Sequence, residues 1–203
     1  MTYKNTTVRP VADTRNFIWT RKDSLSESFC QHVINRFDEE PLKQDGVLGT
    51  DRRVNKEIKQ TKDFVITNHQ HWRSEDNIFF EALQKGLKEY RLYLATIHRN
   101  AVPYDYEIND TGYKLQRYEA GGFYDWHHDW QMSGGATRIF TFMWYLNTIK
   151  EEDEGYTEFA DGTRLQPERG TLVMFPATWT FLHRGFPPKV RKYICNGWIF
   201  AKA

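Results

Sequence analysis

Apolar residues at helical spacing indicate two helices in the first half of the chain. The first is predicted within residues 24–40, where Ser24 or Ser26 can cap the N-terminus and Pro41 ends the run. Its apolar face consists of Phe29, Val33, Ile34 and Phe37. The second is predicted from about Glu75 to Ile97. Its apolar stripe consists of Phe79, Leu83, Leu87, Tyr90 and Leu94, with Gly86 as a tolerated interruption.

From Gly112 onward the pattern changes to short aromatic and β-branched runs separated by glycine-rich turns. Strands are predicted at residues 113–118, 138–146, 171–176 and 192–200, with a further short strand at 63–67. Many short strands with such turns indicate a barrel or a double-sheet jelly roll. We therefore expect an α+β fold, in which a double-stranded β-helix (jelly-roll) core is braced by N-terminal helices.

The chain contains no internal repeat and no Ser/Gly/Pro-rich linker, which favours one domain over residues 1–203. We expect about 1–111 to form a helical support region and about 112–203 to form the jelly-roll core.

Charge and cysteine content exclude several classes of protein. The 28 basic and 27 acidic side chains leave a net charge of +1, so we expect neither a nucleic-acid nor a membrane partner. The two cysteines, Cys30 and Cys195, exclude a disulfide scaffold and a cysteine-only zinc site. The first residues lack the apolar stretch of a secretory signal. These features predict a cytoplasmic protein, either a monomer or a weak homo-oligomer.

A candidate metal site lies at His127 and Asp129, which point the same way if they share a strand. His128 would then point to the opposite face, and the best-placed third ligand is His183, after the predicted strand 171–176. Two histidines and one carboxylate suit non-haem Fe(II), because they leave positions for a chelating cosubstrate and O₂. The competing interpretation is a surface strand with a solvated histidine and aspartate.

Lys192 opens the last predicted strand, nine positions after His183. Period two places four residues on one face: Lys192, Ile194, Asn196 and Trp198. A lysine inside a barrel requires an anionic partner, which the 5-carboxylate of 2-oxoglutarate would supply. Alternatively, Lys192 is a strand-edge lysine that discourages aggregation.

Several motifs of the second half follow one another in a recognisable order. The run Y-x-x-G-G-x-Y-x-x-H-x-D comprises Tyr118, Gly121, Gly122, Tyr124, His127 and Asp129. Later segments are Arg138-Ile139 with Tyr145-Leu146-Asn147, then Gly155-x-Thr157-x-Phe159, Arg169-Gly170-Thr171 and Lys192-x-x-x-Asn196-x-Trp198. With these motifs, residues 112–200 resemble the Fe(II)/2-oxoglutarate-dependent oxygenases, and within them the prolyl 4-hydroxylase branch.

The resemblance implies four catalytic residues. His127, Asp129 and His183 would be the iron ligands, and Lys192 would anchor the 2-oxoglutarate carboxylate. The implied cofactors are Fe(II), 2-oxoglutarate as cosubstrate and O₂, with ascorbate as an accompanying reductant. The implied reaction is hydroxylation of a prolyl residue in a peptide or protein, with succinate and CO₂ as co-products.

The resemblance also implies secondary roles around the cosubstrate and the substrate. Tyr118, Tyr145 and Thr157 would surround 2-oxoglutarate, although all three also suit purely structural positions in a barrel. Trp198 would line the pocket, and Arg138 would contact the substrate at the mouth. Trp130 and Trp126 are departures from the family pattern, and we expect them to add bulk near the mouth and, with Trp198, aromatic walls that suit a proline ring in the substrate. Arg138 lies seven positions from Tyr145, so alternation directs them to opposite faces, and without a bulge we expect only Tyr145 to point inward.

Other functions remain compatible with the sequence. One is a hydroxylase of a free amino acid or another small molecule, and another is a non-catalytic metal-binding jelly-roll module. A nucleic-acid demethylase would carry an arginine where this chain has Trp198. A cupin-type dioxygenase that does not use 2-oxoglutarate would not need Lys192.

Overall fold

The computed structural model describes residues 14–49, 53–98, 100–101 and 107–202. Its two α-helices are α1 (Glu27–Glu39) and α2 (Arg73–Ile97). Its strands are β1 (Trp19–Arg21), β2 (Gln44–Asp45), β3 (Lys62–Val65), β4 (Glu107–Asp110), β5 (Lys114–Tyr118), β6 (Tyr124–His127), β7 (Met132–Ser133), β8 (Ala136–Tyr145), β9 (Thr157–Phe159), β10 (Arg164–Leu165), β11 (Leu172–Pro176), β12 (His183–Gly185) and β13 (Lys192–Lys202). Short 3₁₀ helices occupy Thr14–Phe17, Ile66–Asn68, Gln70–Trp72 and Glu151–Asp153.

Both predicted helices are present, and local interactions explain where α1 begins and ends. The hydroxyl of Ser26 accepts a hydrogen bond from the backbone N–H of Phe29 at 3.2 Å, which caps the N-terminus. Glu40 adopts an extended conformation directly before Pro41 and ends the helix. Across the described residues, no helix is both long and apolar enough to cross a membrane.

Two antiparallel sheets form the jelly-roll core, as predicted. The larger sheet has the order β1-β11-β8-β13-β5-β3-β2, with β4 paired to β13 and β7 paired to β8. The smaller sheet has the order β10-β9-β12-β6. The two sheets enclose a cavity of about 520 Å³, to which both contribute lining residues.

Alternation along the strands of the larger sheet divides the apolar core in two. On β11, Leu172 and Met174 pack toward the helices, whereas Val173 and Phe175 point between the sheets. The helical stripe predicted on α2 is buried against the outer face. Each large apolar side chain buried there contributes roughly 1.5–3 kcal/mol, so the helices hold the sheet that carries the cavity.

Gly86 has a packing role that its sequence context did not reveal. It is buried on α2, and a β-carbon at this position would collide with the side chain of Leu172. The glycine therefore permits close contact between α2 and β11, and it is more than a tolerated interruption.

A bulge in β8 changes the predicted orientation of Arg138. Phe140 pairs with Ile199 of β13, but the next pair joins Arg138 to Phe200, which leaves Ile139 as an extra residue. The alternation is thereby reset, and Arg138 lines the cavity on the same side of the sheet as Thr141. Strict alternation would direct Arg138 and Tyr145 to opposite faces, but the bulge allows both to point inward.

Candidate active site

Three side chains converge where β6 and β12 meet inside the cavity. His127 and His183 are paired in register between these strands. The Nε2 atom of His183 lies 3.5 Å from Oδ2 of Asp129, and the Nε2 atom of His127 lies 4.0 Å from Oδ1. One ligand atom from each of the three residues lies within 4.8 Å of the other two, a spacing that allows all three to bind one metal ion.

The route by which Asp129 reaches this position differs from the prediction. Strand β6 ends at His127, so strand alternation does not orient Asp129. Instead, the hydroxyl of Thr141 on β8 donates a 2.7 Å hydrogen bond to Oδ2 of Asp129. The aspartate is therefore positioned by the larger sheet and the histidines by the smaller one.

The backbone fixes which nitrogen of each imidazole faces the centre. The Nδ1 atom of His127 lies 2.7 Å from the carbonyl oxygen of Asp125, and Nδ1 of His183 lies 3.0 Å from that of Phe181. A carbonyl oxygen can only accept, so each Nδ1 carries the hydrogen and each Nε2 presents its lone pair. Two such nitrogens and a carboxylate are the donor set that fits non-haem Fe(II).

Burial and the neighbouring charges set the protonation of this centre. Burial, together with the nearby imidazole of His183, lowers the pKa of His127 to about 3. Burial alone would raise the pKa of Asp129, but His183, His127 and the Thr141 hydroxyl lower it to about 2. At neutral pH, His127 is therefore neutral and Asp129 is ionised, as metal ligation requires.

Lys192 lies in the same cavity and is only 1% exposed. Its Nζ donates a 2.7 Å hydrogen bond to the carbonyl oxygen of Gly155 and lies 5.2 Å and 5.5 Å from the ring centres of Tyr118 and Tyr145. It has no carboxylate partner among the described residues. Burial lowers the pKa of this ammonium to about 7.

The other residues predicted around the cosubstrate lie beside Lys192. Tyr118 and Thr157 line the cavity. The Tyr145 hydroxyl donates a 2.8 Å hydrogen bond to Oγ1 of Thr157. Burial raises the pKa of both tyrosines, so their hydroxyls remain protonated at neutral pH. This end of the cavity therefore combines one cation with neutral hydroxyl groups.

The residues predicted to contact the substrate line another part of the cavity wall. Trp198, Arg138 and Trp130 all line it, and the guanidinium of Arg138 lies 3.6 Å from the ring centre of Trp198. Trp126 does not belong to this wall. It is not among the residues that line the cavity, and the guanidinium of Arg184 lies over its indole at 4.7 Å. The expectation that Trp126 adds an aromatic wall is therefore wrong.

Sequence reasoning missed a polar group in the same cavity. Lys59, 2% exposed, forms a 2.7 Å ion pair with Asp63, which also accepts a 2.9 Å hydrogen bond from Gln116. Lys114 also lines the cavity. Period two along β5 places Lys114 and Gln116 on the same face as Tyr118, and this signal could have found them. Lys59 precedes β3, and no periodic pattern points to it.

Comparison with known proteins agrees with this geometry. Residues 113–200 match the family model of the 2OG-Fe(II) oxygenase superfamily. No curated protein matches the chain significantly. One similar solved structure is the viral collagen prolyl hydroxylase vCPH from Paramecium Bursaria Chlorella virus-1 as its 2OG complex, with 23% identity, coverage of 91% of this chain and 96% of that chain, and a TM-score of 0.61.

Two further structures extend the fold similarity. A Trichoplax adhaerens prolyl hydroxylase, solved with a hypoxia inducible factor oxygen degradation domain peptide fragment, has 17% identity and a TM-score of 0.70, and the match covers 91% of this chain and 84% of that one. A Pseudomonas putida prolyl-4-hydroxylase has 18% identity and a TM-score of 0.63, with coverage of 90% and 91%.

Residues 113–200 form a domain of the 2OG-Fe(II) oxygenase superfamily. This match supports a 2-oxoglutarate-dependent dioxygenase, and the protein shares its overall fold with prolyl hydroxylases of viral, animal and bacterial origin.

Proposed function

We propose that the protein hydroxylates a prolyl residue in a peptide or protein and converts 2-oxoglutarate to succinate and CO₂. The observation that carries the proposal is the position of Lys192 in the cavity that contains the histidine–aspartate group, where it is a buried cation with no carboxylate partner among the described residues. A buried charge of this kind is costly unless a ligand pairs with it.

His127, Asp129 and His183 would hold Fe(II) through two Nε2 atoms and a carboxylate. The iron, with 2-oxoglutarate and O₂, supplies the oxidising chemistry for C–H hydroxylation. The chain keeps the histidines in the ligating tautomer through backbone carbonyls and holds Asp129 through Thr141. Such outer contacts orient the ligands before the metal binds.

Lys192 would pair with the 5-carboxylate of 2-oxoglutarate. The charge-assisted contact restores full protonation to an ammonium whose pKa burial lowers to about 7. The hydroxyls of Tyr118 and Thr157 line the same space and can donate to carboxylate oxygens. The cosubstrate would then lie with one end at the metal ligands and the other at Lys192.

The wall formed by Trp198 and Trp130 supports a proline ring as the target. A pyrrolidine ring presents a flat apolar face that packs well on an indole. The Trichoplax adhaerens structure, which holds a peptide fragment, has the same overall fold and supports a peptide substrate for this protein. The peptide would cross the cavity mouth in an extended or polyproline conformation.

The test is a turnover assay with Fe(II), ascorbate, O₂ and 2-oxoglutarate. Succinate should form slowly alone and faster with a proline-containing peptide, which should gain one oxygen on proline by mass spectrometry. His127→Ala should abolish succinate formation, whereas His98→Ala, at an exposed position directly after α2, should retain it. Equal succinate formation by wild type and His127→Ala would contradict the proposal. If free amino acids stimulate succinate formation and peptides do not, the substrate is a free amino acid and not a peptidyl proline.

A further inference from the structure

The inner face of three neighbouring strands carries cations at two separate places. Lys192 lies at one end of β13, beside Tyr118 of β5. Further along β13, Trp198 is approached by Lys114 of β5 and by Arg138 of β8. The Nζ of Lys114 lies 4.9 Å from the Trp198 ring centre, and the guanidinium of Arg138 lies 3.6 Å from it.

Neither cation beside Trp198 has a carboxylate partner. Within the described part of the chain, Lys114 forms no ion pair, and Arg138 makes one long hydrogen bond, 3.4 Å, to the backbone carbonyl of Asp129. Both side chains are half-buried, and both line the cavity. Burial, together with repulsion from Lys59, lowers the pKa of Lys114 to about 8, although Asp63 and Asp129 attract its charge from a distance.

Among the described residues that line the cavity, Asp63 is the one carboxylate outside the metal site, and it is already occupied. Asp63 accepts hydrogen bonds from Lys59 at 2.7 Å, Thr61 at 2.6 Å and Gln116 at 2.9 Å. Its oxygens are therefore occupied by these three donors, and it attracts Lys114 only from beyond ion-pair distance. Among the described residues, the cavity wall at Trp198 thus brings two cations together without a carboxylate in contact with either of them.

The cosubstrate that we place at Lys192 cannot also supply this missing anion. Both cations lie against Trp198, which is six residues along β13 from Lys192 and therefore roughly 20 Å from it at about 3.3 Å per residue. The four C–C bonds of 2-oxoglutarate, each about 1.5 Å, span at most about 6 Å. The anion that pairs with Lys114 and Arg138 must therefore belong to another molecule.

We infer that Lys114, Arg138 and Trp198 form a subsite for a carboxylate of the substrate. The inference rests on the proposed function and narrows its substrate class to prolyl substrates that carry a negative charge close to the hydroxylated ring. The ammonium and the guanidinium fork would share the carboxylate, and the indole would pack against the adjoining apolar atoms. The same positive wall disfavours substrates with a lysine or arginine at this position.

Three matched pairs of probes test the subsite and identify the source of the carboxylate. The first pair is a blocked proline-containing peptide with Asp or Asn after the proline. The second is the same Asn peptide with a free or an amidated C-terminus, and the third is L-proline against L-prolinamide. Binding is measured by calorimetry with Mn(II) and 2-oxoglutarate, and KM is measured by succinate formation with Fe(II).

In at least one pair, the acid should bind about tenfold or more tightly than the amide, as expected for a charge-assisted contact. Lys114→Gln should reduce this preference to within about twofold, and Lys114→Arg should retain it. Lys88→Gln, the same change on the exposed side of α2, should leave it intact. The KM for 2-oxoglutarate should stay unchanged in all three variants.

The inference is overturned if wild type shows no preference in any pair, or if Lys114→Gln and Arg138→Gln both retain it. It is also overturned if Lys114→Gln raises the KM for 2-oxoglutarate instead. Should Lys114→Gln not fold, Arg138→Gln provides the test. A preference limited to the L-proline pair, with no oxygen added to peptides, would refute the peptidyl substrate and leave the carboxylate subsite standing.

Discussion

Lys59 and Lys192 are both almost completely buried in the same cavity wall, yet their surroundings differ. Lys59 forms a 2.7 Å ion pair with Asp63. Lys192 contacts a backbone carbonyl and two aromatic rings and has no carboxylate within the described residues. The first lysine completes a structural pair within the chain, whereas the second lacks a counter-ion that a dicarboxylate cosubstrate can supply. Burial alone does not distinguish the two roles.

The largest expected effect is on folding. Lys59→Met leaves Asp63 as an uncompensated buried charge and should lower the free energy of unfolding by about 3–5 kcal/mol. Denaturant titration measures the loss. The double variant Lys59→Met/Asp63→Leu should recover most of it, and an equal loss in the double variant would show that the pair is not the cause.

The corresponding change at Lys192 should affect cosubstrate binding and not folding. Lys192→Met removes a buried charge that has no carboxylate partner among the described residues, so the free energy of unfolding should not fall. The KM for 2-oxoglutarate should rise about 100-fold, which corresponds to the loss of one buried charge pair. Iron content, measured by elemental analysis, should remain that of wild type. A destabilisation as large as that of Lys59→Met would invalidate the comparison.

The comparison extends to the two buried carboxylates. The Asp63 carboxylate accepts from three protein donors, whereas the Asp129 carboxylate accepts a hydrogen bond from Thr141 at Oδ2 and faces His127 with Oδ1. Thr141→Val removes the contact that orients Asp129 and should weaken metal affinity about tenfold. Competition with a chelator of known affinity measures the change. Thr61→Val, the matched loss at Asp63, should leave metal affinity unchanged.

The smallest expected effect is a pH dependence specific to Lys192. The pKa of this ammonium is lowered to about 7 by burial, and a bound carboxylate raises it again. Above pH 7 the free protein must therefore take up a proton to bind 2-oxoglutarate. The KM should rise about fivefold between pH 7 and pH 8. Lys192→Arg should abolish this rise, because arginine stays protonated. If the KM of Lys192→Arg rises with pH as in wild type, the rise comes from the titration of another group.

Sequence reasoning reached the inner face of β13 because strand periodicity is a local property. Lys192, Ile194, Asn196 and Trp198 all line the cavity, as alternation predicted. The same reasoning failed where the ladder is irregular. The extra residue at Ile139 reverses the face to which the preceding residues of β8 point, and no local signal in the sequence marks this bulge. Likewise, β6 ends at His127, so the position of Asp129 depends on a hydrogen bond from another strand.

Long-range packing explains the other omissions. Lys59 enters the cavity because it forms a β-bridge with Tyr124, the first residue of β6, and β6 ends at the metal ligand His127. Gly122 allows this approach, since a β-carbon there would lie 2.8 Å from the carbonyl oxygen of Gln60. Short strands such as β2, β7 and β10 have two residues each, too few to show a period. Their existence depends on partners distant in sequence.

The bulge at Ile139 divides β8 into two segments, and the alternation of side chains in one segment is out of step with that in the other. Deleting that single residue would restore uniform alternation and swing everything on its N-terminal side, including Arg138, to the helix-packed surface. Thr141, Met143 and Tyr145 would keep their orientation. A single residue, Ile139, thus determines which side chains of the N-terminal part of β8 line the cavity, while the positions that would bind iron and the cosubstrate stay in place.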